Sequence, residues 1–408
     1  MTAEPLVPLR RNRDFLFLQG GQLLSTFGSS MSSIAYPLLA LTLTGSAAKT
    51  GYVGAVEFAP LVLLAAPAGV LADRFDRRRL MIASDVTGAA AVGVLAALVL
   101  AGDARFWHVL VVAFVDSTAA VLYRAGSSGA FRAVVPRSQL ADAASLSMAR
   151  MSTVRLTAPP AGGALFGLAR GLPFVADAVS YGFSSLSLLL MRTRFQEERD
   201  PAARTHFREG LAYFWRMPFL RVTIGMIAVS NLAASGAPIA VIILAHRHGL
   251  SSAAIGALIA LQGVALLAGS TLSPLLRRLV PMRGILLSEF WAALVFAAFL
   301  AFPSVYVLAA AAALHAFWFP NTDSAMTAYS YLLIPDRLLG RAMAASNTLR
   351  ALSAPIGPLL AGLLLADTSP RLCVLVLAAP VVVAAAAGTL SSAIRDLPSL
   401  EASPAAAD

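Results

Sequence analysis

The sequence predicts an all-α integral membrane protein with about twelve transmembrane helices in two six-helix halves. Three observations predict it. The 408-residue chain is 58% hydrophobic and 13% charged, with a mean hydropathy of +0.76, a balance that a water-soluble domain does not have. Apolar runs of about 20 residues, each enough to cross the hydrocarbon layer, recur from end to end. Arginines gather in every second link between those runs, which is the bias that sets orientation.

In order, the predicted spans are Phe15–Leu43, Gly51–Ala72, Leu80–Ala101, Phe106–Ala130, Ala141–Ala169, Leu172–Met191, Phe219–Ala245, Ser252–Leu276, Ile285–Ala301, Ser304–Leu333, Ala342–Ala366 and Leu372–Ala393. Arg10, Arg11 and Arg13, then Arg74 to Arg79, Arg132 and Arg137, Arg192 to Arg221, Arg277 to Arg283, Arg337 and Arg341, and Arg395 fall on one side. The other side holds Lys49, Arg105, Arg170, Arg247 and Arg371. The richer side is read as cytoplasmic, with both termini inside a bacterial inner membrane. Scarce lysine beside abundant alanine points to a GC-rich bacterial genome. The first apolar run is too long for a cleavable leader.

The net charge of +10 would suit nucleic acid, but these arginines punctuate apolar runs, so the expected partner is the bilayer. Cys373 stands alone, which leaves no disulfide framework. The five histidines are scattered and form no ligand spacing, so no metal or cofactor is expected, and no hydrolytic motif suggests an enzyme. The chain is expected to act as a monomer on a small-molecule substrate.

Residues 1–191 and 218–396 form the two expected halves, joined by a polar cytoplasmic link, 192–217, and followed by a tail, 397–408, expected to be disordered. Within the link, Phe207 to Trp215 reads as an interfacial amphipathic helix. The halves echo each other at an offset of about 200 residues, the mark of an internal duplication. Gly69, Arg77 and Arg78 match Gly269, Arg277 and Arg278; Pro159 and Gly163 match Pro358 and Gly362. Asp73 corresponds to Ser273, so a cytoplasmic device built on that carboxylate is asymmetric.

Gly69-Val70-Leu71-Ala72-Asp73-Arg74-Phe75-Asp76-Arg77-Arg78-Arg79 resembles the loop between the second and third helices of major facilitator superfamily transporters. The runs Leu41 to Ser46, Ala158-Pro159-Pro160-Ala161-Gly162-Gly163, Asp177-Ala178-Val179-Ser180-Tyr181 and Glu209 to Pro218 resemble its macrolide-efflux and enterobactin-exporter-like branch. The resemblance implies rocking, proton-driven export of small amphipathic molecules such as drugs, antibiotics or siderophores. It also implies a conformational latch at Gly69, Asp73, Arg74, Arg77 and Arg78. Where many relatives carry an acid in helix 1 after a glycine, this chain has Gly28-Ser29-Ser30. A nutrient importer or uniporter of the same fold, and a non-transporting membrane sensor, are the alternatives.

Charges inside apolar spans cost about 2.5–3.5 kcal/mol each on insertion scales, so they are expected to face a wet passage or a partner. Asp116 and Arg155 lie about 13 Å and about 20 Å in from the outer ends of their helices, at ~1.5 Å per residue. They are expected to pair, either as a proton-coupling switch or as a fixed structural bridge. Glu57 and Asp323 are further proton-coupling candidates. Gln22, Ser25, Ser29, Ser32 and Tyr36 form one stripe on helix 1, expected either to line a cavity or to bond neighbouring helices. Arg124, Asn231, Gln262, His315 and Arg350 are the other cavity candidates. Asp85 and Glu289, each six residues after an arginine, are read as gate or stability residues, and Asp177 as structural.

Overall fold

The computed structural model describes residues 8–193, 195, 213 and 215–398. Among these there is no strand, and helices follow one another with short links. In order they are α1 (Arg13–Thr44), α2 (Ala47–Leu63), α3 (Ala65–Arg74), α4 (Arg77–Ala101), α5 (Phe106–Val134), α6 (Leu140–Leu168) and α7 (Leu172–Leu190). Then come α8 (Pro218–Arg247), α9 (Ser252–Leu279), α10 (Met282–Ala292), α11 (Ala297–Ala301), α12 (Val305–Leu333), α13 (Asp336–Ala351), α14 (Ile356–Asp367), α15 (Pro370–Leu390) and α16 (Ser392–Arg395).

Eight helices among the described residues are long and apolar enough to cross a membrane, and a ninth if the bent pair α2–α3 is one span. The long helices α1, α6 and α12 stand outside that set; each carries more polar residues along its length. Most of the expected interfacial helix at 207–215, all but Tyr213 and Trp215, and nearly all of the expected tail lie outside the described residues.

Contacts divide the chain into two units. The N-terminal unit comprises Met1–Pro201 and His246–Ala260; the C-terminal unit comprises Ala202–Ala245 and Leu261–Asp408.

In the N-terminal unit, α1 packs against α5, α6 and α7, while α4 packs against α5 and α7. The helix ends are set by local chemistry. Gly45 ends α1 at φ 64°, a left-handed value that a side chain would strain, and the Ser46 hydroxyl caps α2 by accepting from Lys49 N. Part of the Leu41 to Ser46 run is therefore helix punctuation. Asp76 caps α4 by accepting from Arg79 N at 2.8 Å. At the opposite end of α1, Asn12 accepts from Phe15 N and donates to Val134 O. Asp14 accepts from Arg192 N, Thr193 N and Thr193 Oγ1, tying α1 to the chain leaving α7. A buried cluster of Phe15, Leu18, Met81, Val134, Leu188 and Met191 fills that end.

The second predicted span, Gly51–Ala72, is broken. The chain bends by 56° between α2 and α3. Pro67 has no N–H to give to the carbonyl of Leu63, so the helix cannot run through that step. In the C-terminal unit the predicted span Ala342–Ala366 is likewise divided, into α13 and α14, with Pro355 at the start of the second piece. The predicted span Ile285–Ala301 is α10 and α11 joined by a 3-10 turn, Ala293–Phe296. Here α10 packs against α12 and α15, and α14 against α15.

Candidate functional site

The polar stripe of α1 leads to a carboxyl network inside the N-terminal unit. Asp116 on α5 is 5% exposed. Tyr36 Oη donates to its Oδ2 at 3.0 Å, and Tyr181 Oη donates to its Oδ1 at 2.6 Å. Ser29 Oγ lies 3.0 Å from Tyr181 Oη and 3.3 Å from Asp177 Oδ1, so its one proton serves either acceptor. Ser180 Oγ donates to Asp177 O at 2.7 Å and also approaches Asp177 Oδ1 at 3.4 Å. Asp177 is fully buried, and its Oδ2 lies beside Ser32 Oγ without closing a hydrogen bond.

Two carboxyl groups are thus linked through a phenol and a serine, and among the described residues neither forms an ion pair. Glu57 on α2 is half-buried and close enough to feel the Asp116 charge. Uncompensated burial of a carboxylate costs several kcal/mol.

The helices come together because Gly28 has no side chain. A Cβ there would overlap Ser180 Oγ and lie 2.9 Å from Asp177 Cα. That close approach brings α7 against α1 and places Asp177 beside Ser29.

The Asp116–Arg155 pair is corrected. Asp116 bonds two phenols; Arg155 is exposed on α6, makes no ion pair among the described residues, and feels the like charge of Arg124. Both side chains were placed at suitable depths by counting, but helix rotation decides which faces meet. The cavity-wall expectation for α1 is corrected too. Gln22 accepts from Arg150 Nη1 at 2.6 Å, Ser25 is buried, and Ser29 and Tyr36 bond α5 and α7. These side chains join helices of one unit, and Asp116 sits within that packing rather than in an open passage. Arg124 is exposed on α5 and makes no side-chain hydrogen bond among the described residues.

In the C-terminal unit, Asp323 and Arg350 form an ion pair at 2.6 Å, and Asn231 Nδ2 donates to Arg350 O at 2.8 Å. Ser230 Oγ donates to Glu289 Oε1 at 2.5 Å and lies 3.4 Å from His315 Nε2. Gln262 is half-buried and makes no hydrogen bond among the described residues. Asp85, the counterpart of Glu289, is fully buried with both carboxyl oxygens unbonded, although Ser184 and Ser185 lie beside it.

At the arginine-rich loop motif, Asp73 is exposed and pairs with Arg77 at 3.4 Å, one helical turn on. Arg78 Nη2 donates to Leu189 O at 2.7 Å, fastening α4 to the end of α7. The Arg77 guanidinium lies against Gly129, where a Cβ would overlap it. Arg74 is exposed. No described atom lies within 4 Å of a Cβ placed at Gly69, whereas one at Gly269 would overlap the Phe317 carbonyl.

Sequence reasoning missed Tyr181 and underrated Asp177. Their signal was the i, i+4 spacing of Asp177 and Tyr181, which puts both on one face of α7.

Among known proteins, the chain is 25% identical to macrolide efflux protein A of Streptococcus pyogenes over 203 residues, 48% of this chain and 50% of that protein. It is 29% identical to the multidrug efflux pump Tap of Mycobacterium tuberculosis over 225 residues, 52% of this chain and 53% of that protein. The chain thus spans about half the length of the curated relatives it matches. A solved bacterial homologue of the human lysosomal transporter Spinster shares its fold, with a TM-score of 0.65 and 18% identity over 95% of this chain and 94% of that one. A family profile described as transmembrane secretion effector matches residues 3–407. The apolar helices, the arginine-rich loop motif and this near-complete match agree: the chain belongs to the transmembrane secretion effector family of major facilitator transporters.

Proposed function

We propose that this protein exports small amphipathic molecules across a bacterial inner membrane in exchange for protons, by rocking alternating access. Twelve spans in two halves, 1–191 and 218–396, with both termini cytoplasmic, are the organisation this reading uses. Export is supported by the activities after which the relatives are named, macrolide and multidrug efflux. Proton exchange is supported by one observation above the others: Asp116, buried, bonded by two phenols, and joined through Tyr181 and Ser29 to a second buried acid.

In this scheme Asp116 and Asp177 hold protons in common, and half-buried Glu57 is the carboxyl through which protons enter or leave. Asp323 is not given this role, because Arg350 already neutralises it. Arg155, which lacks the expected bond to Asp116, is left out as well. The loop latch works through the Asp73–Arg77 pair, which a small movement of α3 against α4 breaks.

The test is Asp116→Asn in everted membrane vesicles energised by a proton gradient and screened with macrolides and other amphipathic drugs. The expected outcome is loss of drug-dependent proton movement with normal insertion. Wild-type proton movement in this variant removes Asp116 from the mechanism.

A further inference from the structure

The C-terminal unit contains a second buried arrangement able to hold a proton. Glu289 on α10, Ser230 on α8 and His315 on α12 are each at most 3% exposed. The serine stands between the other two, donating to Glu289 Oε1 at 2.5 Å and lying 3.4 Å from His315 Nε2. With its proton directed to Glu289, the Ser230 oxygen has lone pairs free for an Nε2–H donor. Phe296 covers the imidazole, ring centres 5.9 Å apart.

We propose that Glu289, Ser230 and His315 form a second proton-holding site, in which one proton passes between the carboxyl and the imidazole through the serine hydroxyl. The transfer balances. In one form His315 is an imidazolium and Glu289 a carboxylate. The Nε2 proton moves to Ser230 Oγ as the hydroxyl proton moves to Glu289 Oε1. What remains is a neutral imidazole protonated at Nδ1, an intact serine and a carboxylic acid. Both forms carry zero net charge. Removing the proton leaves a buried negative charge, which is costly in a packed interior.

The surrounding groups do not supply a stronger partner. Asp323 on α12 and Arg350 on α13 act on Glu289 with opposite signs, and they are already paired with each other. On α10 itself, Arg283 bonds Leu397 O at the helix end. The side of α15 packed on α10 offers Thr389, bonded by Trp291; the titratable groups of that helix, Arg371 and Cys373, lie at its start. On α8, Arg221, His246 and Arg247 lie toward the ends, and the 3-10 turn Ala293–Phe296 has no titratable side chain. Tyr306, Tyr329 and Tyr331 complete α12, with Tyr329 packed on Phe219.

This site deepens the proton-exchange reading, but its existence is tested without transport. Full-length protein in liposomes, carrying isotope-labelled glutamate, is titrated while its protonated-carboxyl infrared band is followed. Wild type is expected to show a glutamate band that Glu289→Gln removes. His315→Gln is expected to move the pH midpoint of that band by at least about one unit, a change of about 1.4 kcal/mol. Ser230→Ala moves the midpoint less, since the two ends of the relay then lose their bridge. Asp116→Asn leaves the band in place. An unchanged band in Glu289→Gln, or an unmoved midpoint in His315→Gln, overturns the site. Should Glu289→Gln not fold, His315→Gln and Ser230→Ala decide the matter alone. Failure of Asp116→Asn to alter efflux leaves this result untouched, so the two readings fail separately.

Discussion

The two units hold their acids in opposite ways. In the N-terminal unit Asp116 and Asp177 are held by phenols and serines, with no basic partner bonded to either among the described residues. In the C-terminal unit Asp323 has a guanidinium at 2.6 Å, and Glu289 has a serine with an imidazole behind it. Neutral donors satisfy a carboxyl group's geometry but leave its charge to be settled by protons; a cation settles the charge at once. The same contrast runs through matched positions. Asp85 is buried with unbonded oxygens while Glu289 is bonded, and Gly69 stands open while Gly269 is pressed against Phe317. A shared pattern of about 200 residues was evidently filled with different chemistry in each copy.

That comparison is broken most severely at Asp116. Asp116→Asn is expected to abolish proton-driven efflux, whereas Asp323→Asn retains it; equal losses in vesicle assays would erase the distinction between the units. The next effect concerns packing. Gly28→Ala forces a methyl into Ser180 and Asp177, and overpacking of this kind costs about 1–3 kcal/mol. A lowered melting temperature, with efflux reduced in proportion to folded protein, is the expected result; a wild-type melting curve would show that α1 and α7 do not need this approach.

Asp323→Ala should be milder. Its side chain is 43% exposed, so screening limits the loss to about 1 kcal/mol, read as a small fall in melting temperature. The smallest effect lies at the α1 entry. Partial burial pushes the Asp14 carboxyl up, but hydrogen bonds from Thr193 and Arg192, with Arg13 nearby, outweigh it and hold it below its ordinary value. A carboxyl with a lowered folded value stabilises above its unfolded value and loses that contribution as pH falls through the folded one. Wild type is therefore expected to lose a little stability on acidification below the ordinary carboxylate range, and Asp14→Asn to lose less. Identical acid limbs for the two proteins would remove Asp14 from the account.

Much of this protein was legible in order along the chain. Apolar runs, arginine-rich links, Gly45 with Ser46, and Asp76 before Arg77 are local signals, because helix propensity, capping and membrane insertion depend on neighbours within a few residues. Pro67 and Pro355 are helix breakers by composition, since neither has an N–H to donate, and the chain is interrupted near both. The site was legible only as an inventory. Asp116, Tyr36, Ser29 and Asp323 stand out as polar residues in apolar runs, but the expected Asp116–Arg155 pair does not form, and of the two readings of the α1 stripe it is the bonding of neighbouring helices that the structure holds.

The sequence by itself determined that the chain is a multi-pass helical membrane protein of a transporter family, and which buried groups are able to titrate. Only the tertiary structure decided which of them meet. A rotation of a few tens of degrees about a helix axis exchanges a phenol for a guanidinium beside a carboxyl, and nothing within one apolar run records that angle. Close contacts such as Gly28 with Asp177 fix it, and those residues lie on helices far apart in the chain.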